Sequence, residues 1–172
     1  MQLPPLPHRH HHYRSRRRQH GVVAIEFALV FLLGVLPLLL ITLSGVMIFA
    51  AQETLTLAAA EGARAALHYG STAQRESNAC NAAQESMGWL LNFSGQQPNC
   101  AAPPAPGGAF ASIAVSAPTA CPSTPAMQCI TVVTSYNYNA KPFLPGTKTL
   151  YGWVLGAVMS SSATVQLDLT GD

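Results

Sequence analysis

The chain has 172 residues, room for one modest domain, with 49% hydrophobic and only 9% charged residues. An ordinary soluble domain carries about 25% charged residues, so the balance suits a membrane segment joined to a bland polar domain. The net charge of +2 is unevenly spread. Arg9, Arg14, Arg16, Arg17 and Arg18 precede a long apolar run; after it Arg64, Arg75, Lys141 and Lys148 meet Glu53, Glu61, Glu76, Glu85, Asp168 and Asp172. That outer part is slightly acidic, which argues against nucleic acid as a partner.

Residues 1–21 read as a cytoplasmic basic leader. Met1 to Pro7 is proline-rich, and His8 to His20 is a low-complexity His/Arg tract whose His10, His11 and His12 fit a solvated tail better than a metal site. From Phe27 to Ala51 no residue is charged, and those 25 residues would rise about 38 Å as a helix, enough to cross a ~30 Å hydrocarbon core. A removable secretory signal has an apolar region of only about 7–15 residues, so this run reads as an anchor. The arginines before it place that end in the cytoplasm and send the rest outward.

The helical pattern continues through Gln52 to Tyr69. Leu55, Ala58, Ala59, Gly62, Ala66 and Tyr69 share one face, while Glu53, Glu61, Arg64 and His68 take another. Ala58, Gly62 and Ala66, each four apart, form a small-residue stripe that admits another helix closely; the plainer reading is an alanine-rich connector. Val22 to about Tyr69 therefore reads as a single helix interrupted at Pro37, which has no N–H for the Leu33 carbonyl. The predicted organisation is the leader at 1–21, a transmembrane and extended amphipathic helix over 22–70, and an outer domain over 71–172.

Ser71-x-x-Gln74 resembles a capping box. A second helix should follow it, with Cys80, Ala83, Met87, Leu90 and Leu91 on its packed face. Gly95 to Gly108, with Pro98, Pro103, Pro104 and Pro106, reads as loop. Three strand signals come next. Ile113, Val115 and Ala117 alternate; Ile130, Val132, Thr134, Tyr136 and Tyr138 alternate against Thr131, Ser135, Asn137 and Asn139; and Ala163, Val165, Leu167 and Leu169 alternate against Thr164, Gln166 and Asp168. The order predicts an α+β domain with a roughly three-stranded antiparallel sheet packed on helix.

Cys80, Cys100, Cys121 and Cys129 all follow the apolar run, and an even number in a small, loop-rich exported domain suggests disulfides. Free buried thiols or a zinc site are the alternatives, but no spacing is CxxC-like and no histidine lies nearby. Three connectivities are open, and two disulfides, Cys80–Cys100 and Cys121–Cys129, are favoured because both pairs close short loops.

Little else carries chemistry. His68 is the only histidine of the outer part and stands by no evident nucleophile. Glu61 and Arg64 fit an i,i+3 surface pair. Asp168 and Asp172 show no calcium-loop pattern, and no phosphate loop or dinucleotide fingerprint occurs. No enzyme, catalytic residue, cofactor or metal is expected. The informative feature lies at the other end. Gly21 leaves the backbone open to a protease at the membrane face, and Glu26 and Phe27 stand fifth and sixth after a cut between Gly21 and Val22, the prepilin peptidase pattern. An acid at the edge of a transmembrane helix is costly and usually functional.

The run from Arg16 through Gly21-Val22-Val23-Ala24-Ile25-Glu26-Phe27 to Val30 closely resembles the start of TadE-like proteins, minor pilin-like components of tight-adherence (Flp) pilus systems. Ala58-Ala59-Ala60-Glu61-Gly62-Ala63-Arg64 is similar to that family's segment after the membrane, and Ile130 to Tyr138, Pro145-Gly146 and Ser162 to Val165 resemble it more loosely. The resemblance implies a pilin-like subunit cut by a prepilin peptidase, using Glu26 and Phe27 in assembly, and needed for pilus biogenesis and hence adhesion, biofilm formation or DNA uptake. It implies as partners that peptidase, a sister pseudopilin, the major pilin and an inner-membrane assembly platform. The chain would be single-pass in the bacterial inner membrane, with its C-terminal domain periplasmic. Val22 stands where major type IV pilins commonly have phenylalanine, so N-methylation does not follow from the match. A pseudopilin of a type II secretion system and an uncleaved membrane-anchored binding module fit many of the same residues; the Glu61-Gly62-Ala63-Arg64 segment favours the pilus.

Overall fold

The structure, a computed structural model, describes residues 19–96, 100, 111–149, 151 and 158–167. The leader arginines, the loop prolines Pro98, Pro103, Pro104 and Pro106, and Asp168, Leu169 and Asp172 lie outside the described residues. The chain divides into two units, one ending at Leu40 and one beginning at Ile41.

The first unit is helical. Helix α1 (Gln19–Val30) passes into a single π turn at Phe31–Val35, and α2 (Leu36–Ala65) follows at once. Pro37 therefore does not end the helix. The N–H of Leu36 reaches back five residues to the Phe31 carbonyl, and this wider turn absorbs the misfit that proline brings to an i→i−4 ladder. From Gly21 to Leu40 every residue is exposed except the half-buried Pro37. The helical stretch Gly21–Ala65 is long and apolar enough to cross a membrane.

In the second unit burial returns along α2 at helical spacing, through Ser44, Ile48, Ala51, Leu55, Ala58, Ala59, Gly62 and Ala63. The helix stops at Ala65, four residues short of the expected Tyr69, which emerges 88% exposed instead of joining the packed face. The cause is a tightened end. The N–H groups of Leu67 and His68 bond to the Arg64 and Ala65 carbonyls, three residues back. Arg75 then donates to the carbonyls of Gly70 at 3.0 Å and Ala66 at 3.3 Å. A side chain thus satisfies carbonyls that a helix end leaves open.

Helix α3 (Thr72–Ser86) begins with a capping box: the Gln74 N–H donates to Ser71 Oγ, and the Ser71 N–H donates to Gln74 Oε1 at 2.9 Å. Cys80, Ala83, Met87, Leu90 and Leu91 are all buried. They do not share one helix, however. Met87 leaves helical geometry ahead of Gly88, and a short α4 (Gly88–Ser94) carries the last two. Gly95 closes α4 at φ +70°, a left-handed position that suits glycine.

The sheet holds β1 (Ala111–Val115), β2 (Thr119–Ala120), β3 (Gln128–Tyr136) and β4 (Met159–Leu167). All pairings are antiparallel. β3 is central, with β1 and the two-residue β2 along one edge and β4 along the other. β1 ends at Val115, leaving Ala117 beyond it and exposed. Tyr138, expected in the strand, follows the end of β3 yet is fully buried. One face of the sheet presents Ile113, Ile130, Val132, Thr134 and Tyr136 to the core. The other is rich in hydroxyls, with Ser112 bonded to Ser135 at 2.6 Å and Thr131 to Thr164 at 2.9 Å across the strands. The fold is α+β, as the element order implied.

Candidate processing and assembly site

Gly21 and Val22 lie inside α1 and are exposed, as are Glu26 and Phe27. Nothing stands within 4 Å of where a Gly21 side chain would begin. Glycine in a helix costs about 1 kcal/mol relative to alanine, so unwinding the backbone around the Gly21–Val22 bond is cheap. The Phe27 ring stacks on Phe31 one turn later, 6.3 Å between centroids. These residues form an apolar, accessible surface with a carboxylate set into it.

Ala58, Gly62 and Ala66 are buried in the second unit. A Cβ on Gly62 would lie 2.9 Å from the Ala79 carbonyl oxygen, 3.1 Å from Val132 and 3.2 Å from the Ala83 Cβ. The stripe is therefore occupied by α3 and β3 of the same chain. The missing side chain lets the α3 backbone approach.

Cys80 is bonded to Cys100 and Cys121 to Cys129, with Cα–Cα distances of 5.9 and 5.1 Å. The first bond ties α3 to the chain beyond α4, and the second ties the β2–β3 turn to the central strand. Glu61 and Arg64 form an exposed ion pair at 2.8 Å, a geometry that contributes little to stability.

Over the N-terminal part, the TadE-like protein family matches residues 21–64. Over that stretch the chain is similar to TadE-like proteins. No curated protein and no solved structure matches the chain. The TadE-like segment takes in Gly21, Val22, Glu26, Phe27, Ala58 and Gly62, and stops before Ala66 and all four cysteines. It runs from the exposed helix through the π turn to the residues on which the outer domain folds.

Several contacts were not legible in the pattern of the TadE-like segment or beyond it. Thr134 Oγ1 donates 2.8 Å to the Leu55 carbonyl, a buried tie between sheet and helix. Trp89 Nε1 donates 2.9 Å to Thr54 Oγ1. Phe143 gathers Trp89, Phe93, Tyr136 and Tyr138 around it at centroid distances of 5.3 to 6.0 Å. Burial, and secondarily the neighbouring Tyr138, push the Tyr136 phenol up to about 12; its hydroxyl donates 2.6 Å to the Lys141 carbonyl. The run of aromatic residues from Tyr136 to Tyr151 was the available signal for this cluster. Among the described residues no three His, Cys, Asp or Glu side chains converge as a metal site would require.

Proposed function

We propose that this chain is a non-catalytic, minor pilin-like subunit, cut by a prepilin peptidase between Gly21 and Val22 and used to assemble a tight-adherence type IV pilus that supports adhesion. The supporting observation is the TadE-like match over residues 21–64, a family that points to a Tad pilus-associated protein. The exposed helix around Glu26 fits the same role. Its N-terminus faces the cytoplasm, its outer domain the periplasm, and its partners are the peptidase, a sister pseudopilin, the major pilin and the inner-membrane platform.

Cleavage creates a positive amine on Val22, four residues before Glu26 and about 6 Å away along the helix. Within one subunit at a wet interface such a pair is worth at most ~1 kcal/mol. In an assembled bundle the environment is drier, and an unpaired carboxylate costs several kcal/mol. A neighbour's amine offsets that cost only when subunits meet in the correct axial register. Glu26 thus selects register during assembly rather than stabilising the monomer.

Co-expression with the peptidase, followed by terminal sequencing and co-purification, tests the proposal. The wild-type product should begin at Val22, and Gly21→Leu should keep the leader. Glu26→Ala should still be cut but should recover at least about tenfold less pilin partner, the loss that ~1.4 kcal/mol produces. An intact Met1 or a cut near Ala51 in the wild type overturns the processing step. Recovery of a secretion pseudopilin in place of a pilin would assign the chain to the other machine.

A further inference from the structure

The outer domain reaches down the helix to a depth set by one hydrogen bond. Tyr151 donates 2.6 Å from its hydroxyl to the Ile41 carbonyl, and the same oxygen stands 3.4 Å from where a Gly45 side chain would begin. Tyr138, whose hydroxyl bonds to Thr147 at 2.7 Å, has its ring 6.4 Å from Tyr151. Tyr151 therefore lies beside Ile41 and Gly45 of α2, while Lys141 and Phe143 pack on Phe93 of α4, whose Trp89 bonds to Thr54 further along the helix.

The Ile41–Ala51 stretch of α2 has two faces. Ser44, Ile48 and Ala51 are buried by the domain. Leu43, Val46 and Phe49 point away from it, 55%, 65% and 63% exposed, and charged side chains return only at Glu53. Large apolar side chains left bare on a helix that has just crossed a bilayer mark the depth where hydrocarbon gives way to headgroups. Tyr151 sits at that same depth, and the turn that bonds its N–H to the Thr147 carbonyl brings Lys148 close to it.

The charge of the loop leading to Tyr151 matches the location. Both lysines of the chain, Lys141 and Lys148, fall in this loop, and no Asp or Glu occurs from 137 to 151. Lys148 is exposed, and the Lys141 Nζ lies 5.4 Å from the centre of the Phe93 ring. Tyrosine is the type of ring that settles at a membrane–water interface. A neighbouring subunit could cover Val46 and Phe49, but it would not account for an exposed Lys148 next to the turn that carries Tyr151.

We propose that this end of the domain is seated in the headgroup layer of an anionic bilayer, with Lys148 and Tyr151 among the lipid phosphates and Lys141 just above them. The inference rests on the membrane-spanning reading of the helix and adds a lipid-binding surface to it. Each lysine near an anionic surface strengthens the contact about fivefold, the factor that ~1 kcal/mol per charge gives.

The test is hydrogen–deuterium exchange on the full chain in phosphatidylcholine nanodiscs with and without phosphatidylglycerol. Peptides covering 137–149 should exchange at least about fivefold more slowly in the anionic discs, matching that factor. The difference should vanish at high salt, where charge is screened, and in K141Q/K148Q, with β3 exchange unchanged as the check on folding. K148Q alone should lose part of it. Equal exchange in both discs, or slowing that survives the double substitution and salt, overturns the inference. A chain that fails to co-isolate with discs sinks the membrane reading as well; one that co-isolates with an unprotected loop sinks the lipid surface alone.

Discussion

The stretches Gly21–Leu40 and Ser44–Ala65, with Ala66 just beyond, are both helical and both rich in apolar residues, yet they are built for different surroundings. The first displays Val22, Phe27, Leu33 and Leu38 to the outside. The second buries Ala51, Ala58, Ala59, Gly62, Ala63 and Ala66, with Ile48 and Leu55 as its large members. Gln52, Glu53, Glu61 and Arg64 make the second stretch less apolar as a whole. Side-chain size separates the buried faces: big residues fill space offered by lipid or by other chains, while small ones leave space for backbone already present in the same chain.

The sharpest way to break the comparison is to put one large side chain into each half. Gly62→Leu forces a side chain into the Ala79 carbonyl and Val132 and should destabilise the outer domain by about 3 kcal/mol or more. Gly34→Leu meets nothing within 4 Å and should leave domain melting unchanged in detergent. Equal effects on thermal unfolding would erase the distinction.

Alkali probes the domain by itself. A neutral phenol is favoured in the fold, since burial pushes Tyr136 from the usual 10.0 up to about 12. Its contribution is therefore complete below pH 10 and is lost as pH rises toward 12. That rise corresponds to about 3 kcal/mol at most. Near-ultraviolet circular dichroism should report loss of tertiary structure across that window while far-ultraviolet helicity from α1 persists, and Tyr136→Phe should flatten the transition. A wild-type signal unchanged to pH 12 would show that Tyr136 ionises without cost.

The smallest effect belongs to the capping box. Ser71→Ala removes the acceptor for the Gln74 N–H and should cost about 1 kcal/mol, read as a lower denaturation midpoint at unchanged slope. A larger loss would mean that the turn held by Arg75 depends on Ser71 as well.

Periodicity made much of this fold legible because local rules and packing agree there. The capping box, the buried positions Cys80 to Leu91 and the alternation of β3 and β4 all follow from side-chain spacing. The misses arise where a distant group decides. Tyr69 falls at the right helical phase, but Arg75 draws the chain into a turn before the helix reaches it. Met87 and Gly88 divide a helix whose apolar spacing runs straight through the break. Pro37 signals an interruption, but whether a helix ends or widens depends on the neighbouring turn. For the candidate site, Gly21, Val22, Glu26 and Phe27 were visible as a motif, whereas the ties Thr134–Leu55 and Tyr151–Ile41 join residues 79 and 110 positions apart and leave no local trace.

The Thr134 bond has a mechanical consequence. Val132 meets the helix at Gly62 and Thr134 meets it at Leu55, so β3 runs against the direction of α2. A pull along the helix enters the sheet through its central strand, which pairs with five residues of β1 and nine of β4. Tension then slides β3 lengthwise between its neighbours and strains many ladder bonds together instead of peeling them off singly. A subunit loaded through its helix would yield late and all at once.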